Sequence, residues 1–137
     1  NGITKVLASI LDFDLKNIIL NNLNIFYFLQ AMPYKSVDKI FLINPDPWLK
    51  KRHHKRRLMS HEIMTLLNKI IKSKNSIYMT TDSSVYLRDT VNLLSEYKES
   101  FGTFSSSILK KNDALYGISK YQRKAIENGG KIYLLTF

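Results

Sequence analysis

The residues best suited to chemistry lie in one short segment, Asn44-Pro45-Asp46-Pro47-Trp48, and in the basic run behind it. Asp46 is a carboxylate between two prolines, which deny the backbone both a ladder donor and helical continuation and so hold it in a rigid extended loop. Such an acid can orient a bound group by accepting hydrogen bonds. Capping the following turn through its short side chain is the plain local alternative. Lys50, Lys51, Arg52, Lys55, Arg56 and Arg57 then place six cations within eight residues that contain no acid. Cations packed this way repel one another. A phosphate backbone relieves the repulsion and releases counterions, so the run reads as a polyanion contact rather than only a solvated face.

Three neighbouring features bear on the same site. Trp48, the single tryptophan, can stack on a ring or plug the loop floor, and packing is the better reading beside a hinge. His53 and His54 are adjacent and His61 is the only other histidine. Zinc needs three or four convergent ligands, so no metal is assigned. Asp82 ends a second apolar run and can serve a bound group or cap the helix beginning near Ser84.

These groups need a frame, and the periodicities supply one. Ile3, Val6, Leu7, Ile10 and Leu11 form one stripe, the pattern of a helix that buries a face. Asn17–Leu20 reads as a brief buried strand turned by Asn21 and Asn22, and Ile25–Ala31 as a short helix stopped by Pro33. Val37–Ile43 is a strand ending at the proline loop. Ser60 starts a helix carrying Ile63, Leu66, Leu67, Ile70 and Ile71. A strand at Ile77–Thr81, a helix from Ser84 to about Tyr97 and a strand at Phe101–Leu109 follow. A loop at Lys110–Ser119, a helix at Lys120–Asn128, a turn at Gly129-Gly130 and a strand at Lys131–Phe137 complete the chain. The alternation implies an α/β fold with helices covering a mostly parallel sheet, whose ligand sites lie beyond the strands' carboxyl ends. Asp46 and Asp82 both fall at such ends, which predicts two carboxylates facing one crevice.

The 137 residues, 45% of them hydrophobic, suit one small domain and speak against disorder. A formal net charge of +10 favours a polyanion or an anionic membrane surface as partner. The absence of cysteine excludes a disulfide framework, a thiolate nucleophile and a cysteine-ligated metal. No apolar run reaches the roughly 18 residues of a bilayer span, and no leader pattern opens the chain, so a soluble, cytoplasmic protein is expected. The chain begins with Asn1 rather than Met, the mark expected of a processed chain, a chosen boundary or a fragment.

Asn44 to Arg57 (NPDPWLKKRHHKRR) resembles the signature loop of the bacterial tRNA (guanine-N7-)-methyltransferase family, in which proline, aspartate, proline and tryptophan precede a lysine, arginine and histidine cluster. A looser resemblance covers Asn17–Leu20, Thr81-Asp82, the block Ser119-Lys120-Tyr121-Gln122-Arg123 and the tail ending in Phe137. It implies an S-adenosylmethionine-dependent methyltransferase (Rossmann-like) fold and methyl transfer from S-adenosylmethionine to N7 of a variable-loop guanine in tRNA. By the same resemblance Asp46 is the catalytic and cofactor-contacting residue, and Lys50, Asp82, Ser119, Lys120, Tyr121 and Gln122 are substrate contacts. The RNA backbone falls to Lys51, Arg52, Lys55, Arg56 and Arg57. The implied partner is tRNA, not DNA and not a membrane. Gln122 stands where the family has a carboxylate, Ser119 where it has threonine, and Asn22-Leu23-Asn24 where it has an acid on the cofactor's adenine side.

The family's glycine-rich loop and the acid ending its second strand have no counterpart here. In the family sheet order 3-2-1-4-5-7-6 the present strands are the third to the seventh, so residues 1–137 read as a single partial domain carrying the substrate-binding half. Asn17–Leu20 is then left without a neighbour for its backbone donors and acceptors. Either an upstream segment or separate chain completes the sheet, or the remaining strands rearrange. The alternative reading is a truncated, catalytically inactive RNA-binding remnant.

Overall fold

Strands β1 (Ile40–Ile43), β2 (Ile77–Thr81), β3 (Ser105–Ile108) and β4 (Tyr133–Thr136) form a sheet in the order β1-β2-β4-β3. The computed structural model describes residues 2–109 and 117–137; of the expected loop at Lys110–Ser119, residues 110–116 lie outside the described ones. The neighbour order is the one expected for the family's fourth to seventh strands. The strand directions correct the expectation of a mostly parallel sheet. Only β1 and β2 run parallel, with Ile40 opposite Ile77 and Ile43 opposite Thr80, whereas β4 runs against both β2 and β3. The sheet is therefore mixed.

Helix α1 spans Gly2–Asp12, α2 Ile25–Ala31, α3 His61–Ile70, α4 Ser84–Ser95, α5 Lys98–Phe101 and α6 Lys120–Glu127. Ser60 starts α3 as expected: its Oγ accepts from the Ile63 amide at 3.3 Å, with Glu62 in the positively polarised first turn. The stripe of α3 supplies Ile63, Met64, Leu67 and Ile70 to a core shared with Met79 of β2, Leu135 of β4 and Leu94 of α4. Phe101 closes α5 and meets Phe137 edge-on at 5.5 Å. The strand expected from Phe101 thus begins only at Ser105, after Gly102 reverses the chain at φ 82°.

Asn17–Leu20 forms no strand and is exposed. An isolated strand cannot satisfy its own backbone, and in the expected order two further strands stand between it and β1, which is the sheet's edge. Helix α1 forms, but Ile3, Val6, Leu7 and Leu11 are exposed, so the stripe that predicts a buried face finds no surface to bury against. Among the described residues no helix is long and apolar enough to cross a membrane.

Candidate functional site

Parallel pairing of β1 with β2 brings their carboxyl ends side by side, and each end releases a loop that carries one acid. At the end of β1, Asn44 (φ 46°) and Trp48 (φ 41°) bracket Pro45-Asp46-Pro47, both in the left-handed region. That conformation costs on the order of 1–3 kcal/mol for a residue with a side chain and persists where the surroundings over-determine it. For Asn44 the surroundings are explicit. Its amide donates to Thr80 O at 3.1 Å, and its Oδ1 accepts from Thr80 Oγ1 at 2.9 Å and Gln122 Nε2 at 2.8 Å. Trp48 is half-buried, with the Arg56 guanidinium 5.1 Å from its ring centroid and His53 edge-on at 5.7 Å.

Asp46 and Asp82 line one cavity of about 410 Å³, together with Ile43, Asn44, Ser119 and Tyr121. Both acids are exposed. The Asp46 carboxylate has no hydrogen-bond or ion-pair partner among the described residues, so the capping alternative does not hold for it. Asp82 does not cap α4 either. Ser83 does, accepting from the Tyr86 amide at 3.2 Å, and Asp82 Oδ2 instead accepts from the Tyr121 hydroxyl at 2.7 Å. That bond pushes the Tyr121 phenol above its ordinary range. Asp46 also borders a second cavity of about 480 Å³, with Asn24, Phe26, Trp48, Arg56 and Glu62 on its walls.

The basic run folds into a 3-10 turn, Lys51–Arg56, which spreads its side chains around a tight axis. Lys50, Lys51, Arg52, Lys55 and Arg56 are exposed. Arg57 is turned inward, its side chain 6% exposed. Its Nε donates to Pro47 O at 2.7 Å, Nη1 to Asp89 Oδ2 at 2.7 Å and Nη2 to His54 Nε2 at 3.0 Å. The guanidinium also lies 5.1 Å from the ring centroid of Tyr86, whose buried phenol is raised by desolvation. Arg57 therefore braces the proline loop against α4, leaving five outward cations. The histidines have local partners too, His61 Nδ1 lying 3.0 Å from Tyr97 Oη.

Of the α6 block, Ser119 and Tyr121 reach the crevice, Lys120 is exposed at the helix start, and Gln122 is 0% exposed. Ser119 and Gln122 form a reciprocal cap: Ser119 Oγ accepts from the Gln122 amide at 3.2 Å, and Gln122 Oε1 from the Ser119 amide at 3.0 Å. The serine-to-glutamine spacing carries that signal in the sequence. Nothing local signals the bonds from Gln122 to Asn44 and Thr80, or from Arg57 to Asp89, because their partners are 32 to 78 positions away.

A family model, Methyltransf_4, described as "Putative methyltransferase", matches residues 1–135. The chain belongs to this methyltransferase family. It is 32% identical over 96 residues to the "Bifunctional methyltransferase" of Rickettsia bellii, covering 70% of this chain and 17% of that protein. It is 29% identical over 133 residues to the "tRNA (guanine-N(7)-)-methyltransferase" of Wolbachia pipientis wMel, covering 96% of this chain and 57% of that protein. A protein of the same name from Staphylococcus carnosus is 29% identical, with coverages of 97% and 63%. The family member described here thus spans less than two thirds of the length of each of these relatives. Its fold is similar to the crystal structure of a SAM dependent methyltransferase from Archaeoglobus fulgidus, with a TM-score of 0.51 at 13% identity, covering 93% of this chain and 71% of that one. This chain therefore has an α/β S-adenosylmethionine-methyltransferase fold, here with a small mixed sheet.

Proposed function

We propose that this chain is the substrate-docking part of a tRNA (guanine-N7-)-methyltransferase, with the target guanine received between Asp46 and Asp82. The observation that carries the reading is the shared crevice: two carboxylates from adjacent parallel strands line one cavity, and the loop bearing Asp46 runs directly into five exposed cations. The cations suit the ribose-phosphate chain, which sets position without reading sequence. The acids suit a base that offers donors on its N1 and N2 edge.

Guanine N7 presents an in-plane lone pair and carries no proton to remove, so a general base is not required. The protein's task is alignment and tolerance of the positive charge left on the methylated base. Asp46 accepts from the incoming base or from the cofactor's charged groups, held by Pro45 and Pro47. Asp82, already anchored by Tyr121, offers its carboxylate as a second acceptor and adds negative potential where that charge develops.

S-adenosylmethionine supplies an electrophilic methyl group on a sulfonium. The residues present fit it in part. The cavity that shares Asp46 and reaches Asn24 offers a carboxylate and an apolar wall at Ile25 and Phe26. Asn24 Oδ1 is engaged by the Phe26 amide at 2.9 Å, which leaves its amide nitrogen as the polar group there. The glycine-rich turn expected of the family is not among these residues. The open edge of β1 and the exposed Ile18, Ile19 and Leu20 support a domain completed by an upstream segment or a separate chain. Action on tRNA would place the protein in the cytoplasm.

The second reading, an RNA-binding remnant without catalysis, is favoured by that same open edge beside an intact basic loop. The deciding experiment incubates the chain with unmodified tRNA and labelled S-adenosylmethionine, with and without the upstream half of a relative. Methyl incorporation lost in Asp46→Asn while RNA binding persists supports the enzyme. RNA binding with no incorporation under either condition and no cofactor affinity supports the remnant.

A further inference from the structure

Three segments carry the crevice residues: the loop after β1 with Asp46, the end of β2 with Asp82, and the first turn of α6 with Ser119 and Tyr121. Among the described residues they are joined through two buried side chains, Thr80 at the end of β2, 1% exposed, and Gln122 of α6, 0% exposed, of which Gln122 reaches both of the other segments. Its Nε2 donates to Asn44 Oδ1 at 2.8 Å and Thr80 Oγ1 at 3.1 Å, while its Oε1 accepts from the Ser119 amide at 3.0 Å. Asn44 lies two residues before Asp46 and Thr80 two before Asp82.

We propose that Gln122 is the positioning residue of this site: one amide that fixes the left-handed Asn44, and through it the direction in which Pro45 presents Asp46. The inference rests on the crevice being the substrate site only for its consequence in binding; the positioning itself stands on the geometry. Asparagine tolerates the left-handed region better than most residues with a Cβ, so losing the side-chain anchor frees Asn44 to leave φ 46° rather than forcing it out. Beyond its backbone bond to Thr80, both of its side-chain anchors, Thr80 Oγ1 and Gln122 Nε2, meet at the same oxygen. Its Nδ2 is buried with no partner, so the amide's orientation is set entirely by what reaches Oδ1. Hydrogen bonds among buried groups are strengthened at low dielectric, so the bonds reaching Oδ1 hold the amide although Nδ2 is left over.

The network also says which substitutions it tolerates. Gln122→Glu keeps the shape and the acceptor for Ser119 but cannot donate. Rotation of the Asn44 amide would then turn Nδ2 toward the new carboxylate, giving the orphan donor a partner and leaving the links in place with reversed polarity. Gln122→Met fills the volume and removes all side-chain hydrogen bonds.

Trp48 reports the outcome directly, being the single tryptophan and four residues beyond Asn44. Acrylamide quenching of Trp48 should rise about twofold in Gln122→Met, the scale of a locally opened loop. It should stay near the parent value in Gln122→Glu. Ser119→Ala, which removes the Oγ cap but not the bonds to Asn44 and Thr80, should leave quenching unchanged. Parent-like quenching in Gln122→Met overturns the proposal, because packing alone would then hold the loop. Should Gln122→Met fail to fold, Asn44→Ala takes its place: it must raise quenching in the same way, and unchanged quenching overturns the proposal equally. With both variants folded, the double variant must quench no more than Asn44→Ala alone, and additive effects overturn it. On tRNA, Gln122→Met should weaken affinity about tenfold, within the range of couplings inside one hydrogen-bonded network. A parent chain that binds no tRNA defeats the proposed function instead, and the tryptophan readout still decides the positioning.

Discussion

The hydroxyl of Tyr121 donates to Asp82 Oδ2 at 2.7 Å, joining the first turn of α6 to the end of β2 across the mouth of the crevice. The hydrogen bond to Asp82, then desolvation, holds the Tyr121 phenol above its ordinary value of 10.0. A group whose pKa is raised on folding contributes stability that is complete below its unfolded pKa and is lost as pH rises through the folded one. The contribution of this bond is therefore intact at neutral pH and disappears above about pH 10. In Asp82→Ala, phenolate absorbance during alkaline titration should show one tyrosine returning toward the ordinary range, and Tyr121→Phe should remove that same step. The buried Tyr86, raised by desolvation, stays late in both. An unchanged titration in Asp82→Ala would show that the bond is absent in solution.

Arg57 belongs to the basic run by sequence and to the core by structure. Replacing it with alanine removes donors to Pro47, Asp89 and His54 together and leaves Asp89, about a third exposed, with only the looser contact to Arg88 at 3.8 Å. Breaking a fully buried pair costs about 3–5 kcal/mol, and the partial exposure of Asp89 lowers the expected loss to about 2–3 kcal/mol. Arg57→Lys should recover little, since one ammonium cannot replace a fork aimed at three acceptors. Urea denaturation reads both values. A loss within about 0.5 kcal/mol, the ordinary surface range, would place the side chain in solvent.

The contrast between Arg57 and its neighbours marks where sequence legibility ends. Parallel strands β1 and β2, the cap at Ser60 and the stripe of α3 all follow from local pattern, and with them the meeting of Asp46 and Asp82. The strand order also follows, because each apolar run could be matched to its place in a known sheet. Asn17–Leu20 and α1 were equally well patterned, yet a strand needs a neighbour and an apolar stripe needs a surface, and periodicity supplies neither. The mixed direction of β4 and the inward turn of Arg57 depend on contacts many positions apart. So does the role of Gln122, whose local signal is only that of a helix cap.

Leucines of the same pattern therefore separate in their energetic weight. Leu67, on the stripe of α3, is 0% exposed, and Leu7, on the stripe of α1, is 47% exposed. Leu67→Ala should cost about 2–5 kcal/mol through lost transfer energy and the cavity left behind. Leu7→Ala should stay within about 0.5 kcal/mol, since little apolar surface leaves water at that position. Thermal or urea unfolding of the isolated chain tests both. A large loss for Leu7→Ala would mean that α1 docks on the domain in solution. If an added upstream segment covers this face, the cost at Leu7 should rise in its presence and that at Leu67 should not.

The outward cations should differ from Arg57 in kind as well as in degree. Arg52 and Arg56 are exposed, and Arg56 lies over the Trp48 ring at 5.1 Å, where it remains open to a phosphate. Each phosphate contact releases counterions, so removing one should lower the slope of log affinity against log salt by about 0.7–1. Arg52→Ala and Arg56→Ala should each weaken tRNA binding and flatten that slope while leaving urea stability close to the parent. Arg57→Ala should show the reverse at low denaturant: lost stability, with the slope preserved for the molecules that remain folded. Fluorescence anisotropy with labelled tRNA across a salt series separates the two behaviours. Parent-like slopes in both Arg52→Ala and Arg56→Ala would move the RNA surface away from this loop and leave the crevice without the grip that the proposed function requires.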